Sequence, residues 1–171
     1  VQLLLDAQAA VDAADHKGRT ALHWAAYEGH AGVAQMLIDA KAAVDAADAG
    51  GRTALHNAAY KGHTAMVQLL IDAKAAVDAA DASGCTAMHD AAGSGHIAIM
   101  QLLIDANAAV NAADAEGCTA LHFAAIKGHT AIVQLLLNAK AALGVFCQQG
   151  VTALHLAAIG GHVPLPLCSS C

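Results

Sequence analysis

The chain is short of nearly everything that large or charged side chains contribute. Of its 171 residues only 3% are aromatic, supplied by one Trp, two Tyr and two Phe. Proline occurs twice, and charged residues reach 13%. So few aromatics exclude a core built around large rings, and so few charges exclude a highly solvated disordered chain. Basic residues are the scarcer sign, 8 Lys and Arg against 14 Asp and Glu, for a net charge of -6 with histidine neutral. That balance argues against a binder of phosphate backbones, so nucleic acid is not an expected partner. No apolar run approaches the roughly 20 residues that cross a bilayer, and no membrane insertion is expected. No Asn-x-Ser/Thr acceptor occurs, and five cysteines, an odd number, make no secreted-domain framework. These points favour a cytoplasmic setting, although Val1 opens inside an apolar helical pattern, so any upstream leader would be out of sight.

What the chain does have is alanine, 46 residues of it, within an apolar total of 57%. Its core must therefore be assembled from many small contacts and a limited set of Leu, Ile, Val and Met. The second abundance is repetition. TALH begins at Thr20 and Thr53, returns as TAMH at Thr86, then as TALH at Thr119 and Thr152, always 33 residues apart. A Gly-His pair keeps the same period at Gly29–His30, Gly62–His63, Gly95–His96, Gly128–His129 and Gly161–His162. The connector recurs as DAKAAVDAAD ending at Asp48 and Asp81 and as DANAAVNAAD ending at Asp114. A fixed period of this length marks a repeat architecture. The units are read as 1–16 (a partial repeat), 17–49, 50–82, 83–115, 116–148, 149–162 (partial) and an irregular tail, 163–171.

Within a unit, threonine ahead of helix-favouring residues is an N-cap signal, and the histidine three positions on sits where a capping-box partner reaches back. Thr53 thus caps a short helix through Tyr60, and Gly62 stops it. The second helix carries Met66, Val67, Leu69, Leu70 and Ile71, an apolar set broad enough to predict burial between neighbouring layers. Helices of two to three turns do not persist alone in water, so stacking must hold them. Asp15 to Gly18, Asp48 to Gly51, Asp81 to Gly84 and Asp114 to Gly117 read as tight turns, with aspartate bonding its own backbone.

The pattern D-x-x-G-x-T-A-L-H-x-A-A-x-x-G-H at this period resembles the ankyrin repeat, over nearly the whole chain from Val1 to about His162. The resemblance implies an all-α solenoid of stacked antiparallel helix pairs with short hairpin-like connectors. It also implies protein-protein recognition through hairpin tips and a concave helix face, without catalysis, cofactor or small-molecule substrate. Two other readings stay open: a targeting or regulatory segment of a larger enzyme or channel, and an engineered or structural scaffold. The chain departs from the family at Ala21, Ala54, Ala87, Ala120 and Ala153, where proline is usual. At Gln8, Lys41, Lys74, Asn107 and Lys140 it departs again, where glycine tends to end the second helix. The last unit departs further, with Cys147 for the turn aspartate and VPLPLCSSC, containing Pro164 and Pro166, where a second helix is due. Neither end shows the polar cap that a solenoid needs.

Ten of the eleven histidines fill two repeat slots. Neighbouring helices stack about 8–10 Å apart and zinc needs each nitrogen at about 2 Å, so same-slot histidines cannot share an ion and no metal is expected. Structural roles are expected for Thr20, His23, Thr53, His56, Thr86, His89, Thr119, His122, Thr152 and His155. His16, outside the slots, reads as a surface contact. By the same spacing, Cys85 and Cys118 read as free thiols, and Cys168-x-x-Cys171 reads as an unstructured tail rather than a redox or zinc site. Gly93 to Ala98 fits a dinucleotide fingerprint by letter, but a helix leads into it instead of a strand. The slots that vary include Lys17, Arg19, Trp24, Tyr27, Arg52, Tyr60, Lys61, Phe123 and Lys127, which by the resemblance line the partner-binding face. The first two whole repeats hold the single tryptophan, both tyrosines and two arginines, the residue types enriched at interface hot spots. That end is expected to grip a protein segment with acidic and apolar side chains.

Overall fold

A computed structural model describes residues 1–7, 9–148 and 150–158. The expectations for Gln8, Gly161, His162, Pro164, Pro166, Cys168 and Cys171 lie outside the described residues. The helices in order are α1 (Gln2–Asp6), α2 (Ala21–Glu28), α3 (Ala31–Asp39), α4 (Ala54–Lys61), α5 (Thr64–Asp72), α6 (Ala87–Ser94), α7 (Ile97–Asp105), α8 (Ala120–Lys127), α9 (Thr130–Asn138) and α10 (Ala153–Ala158). The first helices of successive units, α2, α4, α6, α8 and α10, pack one on the next. The second helices α3, α5, α7 and α9 form a parallel row, and each packs on the first helix of its own unit. The architecture is the stacked all-helical solenoid that the resemblance implies.

Each unit closes for local reasons. Thr53 is extended (φ -97°, ψ 172°) and caps α4, and Gly62 ends it in the left-handed region (φ 80°). The Gly-His pair between the helices leaves too little chain for anything but a reversal. A Cβ on Gly62 would stand 2.5 Å from Cε1 of His96 in the next unit, so the glycine both ends the helix and makes room for the neighbouring ring. In α5, Met66, Val67 and Leu70 are buried while Leu69 and Ile71 pack partly buried against the core. Two apolar columns run through the stack: Leu22, Leu55, Met88 and Leu121 from the first helices, and Leu37, Leu70, Leu103 and Leu136 from the second, all at most 3% exposed. Burying one such side chain contributes about 1.5–3 kcal/mol, and alanines at zero exposure, such as Ala58, Ala59, Ala91 and Ala92, let the helices approach. Apolar side chains stand exposed at both ends of the described stack, among them Leu3, Leu4, Leu143, Phe146 and Leu154.

The turns form as the aspartates require. Asp48 Oδ1 accepts from the backbone N–H of Gly50 (2.8 Å) and Arg52 (3.0 Å), and the Gly51 N–H donates to the Asp48 carbonyl (2.9 Å). Adjacent tips are tied by backbone bonds, Ala49 N–H to Lys17 O and Ala82 N–H to Gly50 O, each 2.9 Å. A second aspartate in each connector reaches the next unit: Asp12, Asp45 and Asp78 accept from the N–H of Ala43, Ala76 and Ala109 at 2.7–2.9 Å, and Asn111 does the same for Ala142. Cys147, in the turn-aspartate position, keeps the backbone part of the turn, with its N–H on Val151 O (3.1 Å) and its carbonyl accepting from Gly150 (2.8 Å).

Lys41, Lys74, Asn107 and Lys140 sit at φ 68°, 66°, 61° and 62°, the left-handed caps expected from their slot. A side chain there costs on the order of 1 kcal/mol. Lys41→Gly and Lys74→Gly should each add about 0.5–1 kcal/mol and raise the urea midpoint, after allowance for the freer unfolded chain. An unchanged or lower midpoint for both would contradict the strain assigned to these residues.

One cysteine expectation is corrected. Cys85 and Cys118 are both disulfide-bonded and fully buried, while Cys147 is the free cysteine among the described residues. The free-thiol reading used helix spacing as its ruler, whereas both residues lie in the non-helical segments just ahead of Thr86 and Thr119, where that spacing does not apply. Cysteine usage therefore no longer supports a reducing compartment.

Candidate partner-binding face

The histidines come first, because their roles decide which side chains remain for binding. In four units the threonine and histidine form the reciprocal capping box. At Thr53 the backbone N–H donates to Nδ1 of His56 (3.1 Å) and the hydroxyl lies 2.9 Å from the same nitrogen. With Nδ1 accepting, Nε2 carries the proton and donates across the unit boundary: His23 to Arg52 O (2.9 Å), His56 to Cys85 O (3.0 Å) and His89 to Cys118 O (3.2 Å). The Gly-His rings reach the opposite way, His63 to Tyr27 O (3.0 Å), His96 to Tyr60 O (3.1 Å) and His129 to Gly93 O (3.3 Å). Each interior boundary is thus strapped in both directions. Burial holds His56, His89 and His122 below the ordinary imidazole range. The unfolded chain takes up protons at those rings near pH 6.5 and the folded chain resists, so their stabilising share is complete above that pH and is lost as pH falls. The last boundary is weaker: Nε2 of His122 is buried without a hydrogen bond among the described residues, and His155 keeps its box with Thr152 but is exposed. Among the described residues no three His, Cys, Asp or Glu side chains are grouped to hold a metal.

With the histidines assigned, the variable slots separate into three kinds. Trp24, Tyr27 and Tyr60 are 43%, 38% and 51% exposed. Trp24 and Tyr27 meet edge to face, centroids 6.3 Å apart. Each ring also carries a cation, the Arg19 guanidinium over Trp24 and the Lys61 ammonium over Tyr27, both 4.1 Å from the centroid. Arg19 is additionally paired with Asp15 at 2.9 Å. Lys17 and Lys127 are exposed, as is His16. These side chains leave a cleft of about 240 Å³ lined by Arg19, His23, Trp24, Tyr27, Asp48 and Asn57. The arrangement can hold and orient a side chain from outside; it presents no nucleophile activated by a neighbouring base.

Phe123 is a correction. It is 5% exposed and packs edge to face on His89, ring centroids 5.5 Å apart, so it belongs to the core and offers nothing to a partner. Space for it exists because Gly93 occupies the slot that holds Tyr27 and Tyr60 in earlier units; a Cβ there would lie 3.7 Å from Phe123 Cδ1.

Arg52 is directed inward. Its guanidinium pairs with Asp81 (3.3 Å) and Asp90 (2.8 Å), whose side chains are 6% and 2% exposed. Desolvation pushes the Asp90 carboxyl up to about 6, against the opposing pull of Arg52. Between about pH 4 and 6 the folded state holds that proton more tightly than the unfolded chain, so this group loses stability as pH rises, opposite in sign to the buried histidines. Asp90 occupies the slot that holds Trp24, Asn57 and Phe123 in other units, and it was not expected from the sequence as the partner of Arg52. One unit later Cys85 replaces the arginine, and Asp114 Oδ2 is left buried without a hydrogen bond among the described residues.

No helix among the described residues is long and apolar enough to cross a membrane. A family model described as ankyrin repeat matches residues 17–49, and a three-copy ankyrin repeats model matches 40–114 and 107–165. No curated protein matches the chain.

Proposed function

Because the chain belongs to the ankyrin repeat family, whose repeats are generally protein-protein interaction modules, we propose that it recognises a protein on the concave helix face and hairpin tips of its first two whole repeats. The observation that carries this reading is the half-exposed set Trp24, Tyr27 and Tyr60, two of whose rings bear a seated cation, in a chain with five aromatics in all. Aromatic and arginine anchors held rigid before binding lose little freedom on association. Lys17, Lys61 and Lys127, exposed around or beyond this set, suit acidic side chains at the rim. No group in the site is arranged for turnover, so the module acts by holding.

The test is a triple replacement, Trp24, Tyr27 and Tyr60 to alanine. Partners captured with the intact protein should bind the variant at least about a hundredfold more weakly, since hot-spot residues contribute about 2 kcal/mol or more each and are not additive. Its urea midpoint should stay close to that of the parent. A variant that loses stability but keeps its partner affinity would sink the reading.

A further inference from the structure

The cleft beside Trp24 has an occupied counterpart in the same molecule. One repeat later, the position bounded by the turn aspartate Asp81 and by Asp90 is filled by a guanidinium, that of Arg52. The equivalent positions one repeat earlier are Asp48 and Asn57, and both line the cleft. By the repeat, Arg19 corresponds to Arg52 and would fill it. Instead Arg19 folds back: Nε and Nη2 bind Asp15 at 3.0 and 2.9 Å, and the guanidinium lies over Trp24. Asp48 is left with Oδ1 bound to the backbone of Gly50 and Arg52, while Oδ2 makes no hydrogen bond or ion pair among the described residues. The vacated position thus keeps a carboxylate oxygen, an amide and an aromatic wall, and lacks the cation.

We propose that this cleft receives the side chain of an arginine from the protein partner, which takes between Asp48 and Asn57 the place that Arg52 holds between Asp81 and Asp90. The chemistry favours arginine. A planar guanidinium donates in a fork to Asp48 Oδ2 and to Asn57 Oδ1, beside the indole and phenol rings that already seat Arg19 and Lys61. Arg19 does not oppose entry strongly, because Asp15 balances its charge. His23, the remaining lining group, has both ring nitrogens engaged, by Thr20 and by the Arg52 carbonyl. This inference rests on the recognition reading above and names the side chain that the first two repeats would select, with acidic neighbours left to the lysine rim.

Trp24, the chain's only tryptophan, reports on the site directly. The probes are three blocked pentapeptides, Ala-Ala-X-Ala-Ala, with X arginine, citrulline or glutamate, titrated against the full chain while indole fluorescence and the Trp24 Nε1–H resonance are followed. The arginine peptide should give a saturable change, with citrulline, the same shape without the charge, about tenfold weaker. Asp48→Asn keeps an Oδ1 acceptor for the turn and should fold, which its melting curve checks, yet abolish the preference for arginine over citrulline. Equal binding of arginine and citrulline, or a preference that survives Asp48→Asn, would overturn the inference. So would a response to glutamate alone, which would leave these repeats as a binding face of the opposite preference. Silence toward all three peptides also overturns it, while the recognition reading then stands or falls on the triple alanine variant.

Discussion

Replacing Arg52 with methionine is expected to lower stability by about 3–5 kcal/mol at neutral pH, because it leaves two buried carboxylates, Asp81 and Asp90, without their cation. The loss belongs to the orphaned charge and not to the worth of the pair, and that gives the prediction two further arms. Asp90 already titrates high, at about 6, through burial, and Arg52 is what restrains it. Without the arginine the carboxyl rises further and takes up its proton near neutrality, so the deficit measured by urea unfolding should shrink between pH 7.5 and pH 5. Adding Asp90→Asn to the Arg52→Met chain should recover part of the loss at pH 7.5. A deficit under about 1 kcal/mol that does not change with pH would mean that the pair behaves as an exposed one.

His56→Ala should cost about 3 kcal/mol. The ring accepts from Thr53, donates to Cys85 O in the next unit, and is 1% exposed. Its removal leaves the buried Thr53 N–H without an acceptor, takes one of two donors from Cys85 O, which keeps the Asp81 N–H at 2.8 Å, and opens a void; the first two losses are about 1 kcal/mol each. His155→Ala, made in the same slot where the ring is exposed, should cost clearly less. Urea midpoints of the two variants measure the contrast. Equal costs would show that the strap between units adds nothing to the local cap.

The contrast between these two histidines also marks how far the sequence could be read. The capping box lies within three residues, so Thr53 and His56 announce it to anyone who reads along the chain. The strap from His56 to Cys85 O spans 29 residues and the one from His63 to Tyr27 O spans 36, and neither exists until the units stack. The left-handed lysines were legible for the same reason as the caps, since a helix end needs that conformation wherever it falls. Arg52 and Phe123 were misplaced because variable slots were read as exposed slots. The missing signal was the column: Asp90 stands where Trp24, Asn57 and Phe123 stand in other units, one repeat beyond an arginine, and Gly93 empties the space that Phe123 fills. Comparing neighbouring units position by position, instead of each unit with the common pattern, pairs the charges and fills the void. The cysteines fail differently, since a distance taken from helix packing was applied to residues outside any helix.

The claim on which the rest stands is that the capping histidines are neutral struts between repeats, which leaves the irregular side chains of the first two units for a partner. Long-range proton–nitrogen correlation spectra of the imidazole rings test it most directly. For His23, His56 and His89 the account predicts a protonated Nε2 and a bare, accepting Nδ1. It also predicts that His56 and His89, held low by burial, lag behind a free imidazole in taking up protons on acidification from pH 8 to pH 6. Rings that carry the proton on Nδ1, or that at His56 and His89 titrate like free imidazoles over that range, would contradict it.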